Sequence, residues 1–172
     1  MKKYINENKY NECQLITALN AHHYLIGRLY CKQNSDKYEE LVDLVKARHG
    51  AAIGIEKAWR KLGLKVLYQC RNAMDLVNFG SKKFGFKNRT IPLPVELNIW
   101  HKRYGFHSTL IVDQCLKTGC YKITNFKWET SSDGWIFVED LYKFVKTSIG
   151  GNWCYRLFGL NKCSDLSIRR LY

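Results

Sequence analysis

Cys13, His107 and Asn125 are the residues of this chain whose types and order could attack a carbonyl carbon. A thiol gives up its proton to an imidazole and attacks, the imidazole hands the proton on to the leaving group, and a carboxamide holds the ring in the productive orientation. The residues around Cys13 favour the first step. Asn11-Glu12-Cys13-Gln14 has the form of a helix start, with Asn11 as N-cap and Gln14 bonding back, so Cys13 is read as the second helical residue. There the sulfur meets unsatisfied N–H groups and the positive end of the helix dipole, which favour the thiolate. Such settings, or an adjacent imidazolium, lower a cysteine pKa from about 8.5 to roughly 3.5–7.5.

Those roles demand elements that hold the three side chains. Leu15, Ile16, Leu19 and Ile26 fall at helical spacing after Cys13, predicting a helix with one buried face. Asp36 can cap a second helix carrying Tyr38, Leu41, Val42 and Val45 and closing at Arg48-His49-Gly50. Ile55, Ala58, Trp59 and Leu62 mark a third, ended by Gly63. Lys65 to Cys70 then reads as a strand, Asn72 to Phe79 as a short helix stopped by Gly80, and Gly80 to Pro94 as the longest irregular stretch.

From Val95 the period becomes two. Val95, Leu97 and Ile99 alternate with Glu96 and Asn98, a polar turn spans His101 to Gly105, and Phe106 to Asp113 returns, predicting a β-hairpin. A turn around Lys117-Thr118-Gly119 leads to a strand on which Tyr121, Ile123 and Asn125 share a face. Pairing centred near residue 116 would set His107 directly opposite Asn125, where side chains approach to about 5 Å. A slip of one residue would send them to opposite faces.

With 172 residues and 46% apolar content, residues 1–172 are read as one domain with its own core. No apolar signal core follows Met1-Lys2-Lys3-Tyr4-Ile5-Asn6 and no apolar run is long enough to span a bilayer. A cytoplasmic location is expected, or a virion-associated one if the chain is virus-encoded. The seven cysteines are odd in number and irregularly spaced, which points to free thiols, Cys115 and Cys120 across their turn included. No Cys-x-x-Cys pair occurs and His22-His23 has no spaced partner pair, so neither a metal nor a cofactor is expected. The net charge of +13 would attract an acidic protein partner or nucleic acid. Residues 81–89 mix basic and aromatic side chains as single-strand binding loops do.

Taken together, the helix-borne Cys13, the following helices, the strand Phe106-His107-Ser108-Thr109-Leu110-Ile111-Val112 and Asn125 on the next strand resemble a papain-like cysteine peptidase. The likeness is strongest to the bacteriocin-processing, double-glycine-type peptidase domains. It also takes in Gly63-Leu64-Lys65-Val66, Pro94 and the stretch Trp135 to Val145, but the plant-papain signature around the nucleophile is absent. The resemblance implies an α+β fold with N-terminal helices packed on a C-terminal antiparallel sheet. It implies a thiol hydrolase that cleaves a peptide or related amide bond of a protein or peptide substrate through Cys13, His107 and Asn125. The family places a Gln six residues before the nucleophile to donate to the oxyanion, and this chain has Glu7 there. Asn6 or Asn8 could supply the donor instead, beside the Cys13 N–H. Trp128 would shield the Asn–His hydrogen bond from water. The alternative is a catalytically inactive papain-like protein acting as a structural or binding module, for example a component of a viral particle or a nucleic-acid-associated protein.

Overall fold

The computed structural model describes residues 3–6, 12–46, 51–70, 91, 93–101, 105–125, 134–141 and 154–161. Three helices precede most of the strands: α1 Cys13–Ile26, α2 Asp36–Lys46 and α3 Ala51–Lys61. The strands are β1 Leu64–Cys70, β2 Val95–His101, β3 Gly105–Cys115, β4 Cys120–Thr124, β5 Trp135–Phe137 and β6 Cys154–Leu160. They form one antiparallel sheet in the order β1-β6-β2-β3-β4-β5. The fold is α+β, as expected. Among the described residues no helix is long and apolar enough to cross a membrane.

Most of the predicted elements stand where the hydrophobic periods put them, and their ends have local causes. Gly27 (φ +83°) and Gly63 (φ +68°) take the left-handed conformation that closes α1 and α3. Asp36 opens α2 as its first residue; the capping carbonyl is that of Ser35, which accepts from the N–H groups of Tyr38 and Glu39. α3 crosses α2 at Gly54, where a Cβ would lie 2.5 Å from the Leu44 carbonyl oxygen. A helical turn over 138–141 follows β5. The predicted closure at Arg48-His49-Gly50, the helix Asn72 to Phe79 and the basic, aromatic stretch 81–89 lie outside the described residues.

Two expectations are corrected. α1 does not bury one face: every residue from Cys13 to His23 is buried, because the sheet, the other helices and the segment 3–6 surround it. Glu96 and Asn98, which alternate with apolar residues as solvent-facing positions do, are 0% and 1% exposed. The cause is α1, which packs on the face that carries Glu96 and Asn98, while β6, which the sequence reading did not mark, inserts between β1 and β2 and makes β2 a central strand.

The sheet therefore separates two cores. Val95, Leu97, Ile99, Ile111, Tyr121 and Ile123 face Ile136, Val138 and Leu141 on one side. Leu64, Leu110, Val112 and Phe158 face the helices on the other. A polar seam runs along α1 on that second side, and Asn20 is its anchor. Its Oδ1 accepts from the Ile5 N–H at 2.9 Å, and its Nδ2 donates to the Ile5 carbonyl at 2.8 Å and to Thr124 Oγ1 at 3.0 Å. One fully buried side chain thus ties the N-terminal segment to the end of β4. Asn20→Ala strands both Ile5 backbone groups, and urea unfolding is expected to show a loss of about 2 kcal/mol. A loss below about 0.5 kcal/mol, the range of an ordinary surface substitution, would mean that water replaces those bonds.

Candidate active site

Cys13 is the first residue of α1, not the second, and Glu12 precedes it with φ −96° and ψ 1°, outside N-cap geometry and without a side-chain capping bond. Asn11 lies outside the described residues. Glu12 cannot cap because its buried carboxylate accepts from the Tyr38 hydroxyl of α2. Gln14 does not show the bond expected of it: it is buried, and its Oε1 has no hydrogen-bond partner among the described residues.

The start of the helix still serves the sulfur. The main-chain N–H groups of Ser108, Gln14 and Cys13 itself all favour the Cys13 thiolate. Burial outweighs them. It pushes the thiol up from its ordinary value, the negative charge of Glu96 adds to the rise, and the three N–H groups offset only part of it. The expected lowering of the Cys13 pKa is corrected accordingly, since at 7% exposure desolvation exceeds what the helix terminus returns.

His107 lies on β3, paired with Ile99 of β2 and buried. Its Nε2–H donates to the main-chain carbonyl of Asn125. A carbonyl only accepts, so this bond fixes the neutral tautomer with the proton on Nε2 and the lone pair on Nδ1. Burial pushes the His107 pKa down, against the partial compensation of that bond. Both directions favour the neutral form of each group.

Asn125 joins the predicted residues, although not as the register predicted. The hairpin of β3 and β4 is centred between Lys117 and Thr118, as the pair Cys115↔Cys120 requires, and Val112 is an extra residue on β3. Leu110 consequently meets Thr124, and His107 is not directly opposite Asn125. The shift is about two residues rather than one, which preserves the side of the sheet. Asn125 itself follows the end of β4 with φ +56°, a conformation that asparagine tolerates better than most residues. This turn changes its role: the main-chain carbonyl, not the carboxamide, holds the imidazole. The carboxamide Nδ2 instead donates to the Ser108 carbonyl at 3.1 Å, with the Cys13 carbonyl at 3.5 Å. The Asn125 N–H donates to Asn6 Oδ1 at 2.8 Å. Cys13, His107, Asn125 and Asn6 thus meet at one junction, whereas Glu7, Asn8 and Trp128 lie outside the described residues.

A buried ion pair behind this junction was missed. Ser108 Oγ lies 2.8 Å from Glu96 Oε1 and 3.2 Å from Thr17 Oγ1, and Arg156 Nη1 donates to Glu96 Oε2 at 2.9 Å. Arg156 also lies over the Trp59 ring, 5.2 Å from its centroid. Ser108 therefore faces Glu96 with its hydroxyl and Cys13 with its N–H. The signal available in the sequence was a glutamate inside an apolar strand, which is silent until β6 supplies Arg156. Cys115 and Cys120 stand in register as free thiols. Among the described residues no three His, Cys, Asp or Glu side chains cluster as metal ligands do.

No protein-family model matches the sequence, and no curated protein matches it significantly.

Two outcomes are expected from these groups. Replacing Glu96 with Gln removes the negative charge near Cys13 while keeping a polar side chain against Ser108. The pH at which iodoacetamide half-labels Cys13 should therefore fall; an unchanged midpoint would mean that Glu96 does not act on the sulfur. The second concerns folding. His107, like His22, has its pKa lowered by burial. Its stabilising contribution is present above the unfolded value near 6.5 and lost as the pH falls through the folded one. Cys13 has the opposite sign: its contribution is present below the unfolded value and lost as the pH rises through the folded one. Denaturation free energy should accordingly fall on both sides of neutrality. His107→Gln should reduce the acid slope by up to one proton, about 1.4 kcal/mol per pH unit, and leave the His22 share. An unchanged acid slope would mean that His107 titrates alike in both states.

Proposed function

We propose that this chain is a thiol hydrolase of papain-like architecture that cleaves a peptide or related amide bond. Cys13 is the nucleophile, His107 the base and Asn125 the group that orients the base. The observation that carries this reading is the single junction at Asn125, whose carbonyl holds His107 by Nε2 while its amide reaches the Cys13 and Ser108 carbonyls.

In this mechanism the ground state is a neutral pair, not a preformed thiolate and imidazolium. The Cys13 proton passes to His107 Nδ1 as the sulfur attacks the carbonyl carbon. The resulting imidazolium then protonates the leaving nitrogen, and a water activated by the same ring releases the acyl group from sulfur. The Cys13 N–H donates to the oxyanion. Asn6 supplies the second donor: its Oδ1 is committed to the Asn125 N–H, so its Nδ2 points elsewhere and is chemically suited to the task.

The second reading is a binding module that keeps the fold without the reaction. It is favoured by the burial of both reacting groups and by a glutamate at position 7, where an ionised carboxylate would repel the oxyanion. The two readings part in one experiment. A diverse peptide mixture is incubated with the wild type, Cys13→Ala and His107→Ala, and the products are read by mass spectrometry, with a peptidyl chloromethyl ketone as covalent probe. The hydrolase should cut a subset of peptides and carry the probe on Cys13. Cleavage should vanish with Cys13→Ala and fall on the order of 10³-fold with His107→Ala. Cleavage that survives in Cys13→Ala, or no cleavage and no adduct with the wild type, would leave the binding module.

A further inference from the structure

A cavity of about 570 Å3 opens between the N-terminal segment and the end of α1, within the roughly 300–1,000 Å3 typical of ligand sites. Lys3, Arg28 and Lys32 line it together with Tyr4, Asn6 and His23, and among the described residues no carboxylate belongs to its lining. We propose that this cavity is a subsite for an acidic stretch of peptide substrate, leading away from the junction at Cys13. The assignment rests on the hydrolase reading and adds the substrate's chemistry to it.

Three features of the cavity converge here. The first is charge. Three full positive charges surround the space, against the roughly half negative charge that the last carbonyls of α1 carry at a helix C-terminus. Asp113 acts on the Tyr4 and Tyr24 hydroxyls and is not part of the lining. The balance strongly favours an anion. Arg28 adds a planar fork that matches a carboxylate in two parallel hydrogen bonds.

The second is position. Asn6 belongs to the wall of the cavity and at the same time accepts from the Asn125 N–H, so segment 3–6 runs from the cavity to the junction with no intervening element. Asn20 clamps that segment at Ile5, which keeps the wall in place. A ligand seated here lies along the segment whose Asn6 is bonded to Asn125.

The third is the chemistry of the remaining lining. Tyr4 is tilted at 49° against His23 with ring centroids 5.2 Å apart, so part of its face is already used and it offers a poor platform for a stacked base. Peptide, rather than nucleic acid, is the anion that this lining fits.

The test uses the full chain carrying Cys13→Ala, so that binding is read without turnover. Fluorescence anisotropy follows a labelled hexapeptide with four glutamates and the same peptide with four glutamines. Arg28→Glu with Lys32→Glu reverses two cavity charges on exposed side chains. Lys117→Glu reverses one in the exposed turn between β3 and β4 as a control, and circular dichroism checks folding. The acidic peptide should bind at least about tenfold more tightly than the neutral one, and the double reversal should remove that preference, while Lys117→Glu changes affinity less than about twofold. An equal effect of Lys117→Glu would reduce the binding to diffuse attraction by the net charge and overturn the proposal. Tighter binding of a single-stranded oligonucleotide or of pyrophosphate through Arg28 and Lys32 would overturn it as well. The two readings fail separately. Acidic-peptide binding that depends on Arg28 and Lys32, with no cleavage by the wild type, keeps the cavity's ligand and sinks the hydrolase. Cleavage by the wild type with no preference for acidic residues, unchanged by the double reversal, keeps the hydrolase and sinks the subsite.

Discussion

Asn125 joins three stretches of chain that are far apart in sequence. Its carbonyl takes the His107 ring, its amide reaches the carbonyls of Ser108 and Cys13, and its N–H is bound by Asn6. All of these depend on one backbone feature, the positive φ that ends β4 and turns the peptide away from the ladder. In an extended conformation the same residue would present its carbonyl and N–H along the sheet, and the His107 ring would lose its acceptor. The residue is 3% exposed, so an imperfect fit there would leave polar groups buried without partners, at about 1–3 kcal/mol each. The junction is therefore a constraint on β3, β4 and α1 at once, which is why candidate residues far apart in sequence are held near one another.

The same burial decides the electrostatics. A helix N-terminus is a modest effect, typically 0.3–1 kcal/mol for an adjacent charge, and at Cys13 it is joined by the N–H of Ser108. Desolvation of a nearly enclosed sulfur is larger and has the opposite sign. The imidazole, equally enclosed, shifts the other way. Two groups held in their neutral forms place no net charge of their own in the buried site.

How much of this was legible follows from which signals are local. The three helices are spelled out by apolar residues three and four apart and by glycines at their ends, and the β2–β3 hairpin by its strict alternation, so these stand where the sequence reading set them. The candidate residues were chosen by type and order, and in the structure Asn125 touches the His107 ring, the Cys13 carbonyl and Asn6. What escaped was non-local. β6 follows a long connection and pairs with β1 and β2, so nothing near it in sequence announces it, and without it Glu96 lacks Arg156. The hairpin register was misjudged because a turn centre and one extra residue at Val112 each displace the pairing, and neither shows in the alternation. The carboxamide of Asn125 was assigned to the imidazole because an extended strand was assumed, and the change of φ exchanges the carbonyl for it.

The polar seam between α1 and the sheet has one further consequence. Thr17, Asn20, Glu96, Asn98, Ser108 and Thr124 are all at most 2% exposed, in a position where apolar side chains would pack with less desolvation. Apolar contacts, however, are tolerant of sliding: a helix displaced by one turn along an aliphatic surface still buries carbon against carbon. Displacing α1 by one turn, about 5.4 Å, would separate Asn20 from Ile5 and Thr124 and Thr17 from Ser108, leaving each buried without a partner. The cost of those lost bonds fixes the helix along its own axis. Since Cys13 begins that helix one turn before Thr17, its distance from Ser108 and His107 is set by hydrogen bonds that lie outside the reacting groups themselves. The apolar core stabilises the packing of α1 on the sheet, and the polar seam decides which of the possible packings is adopted.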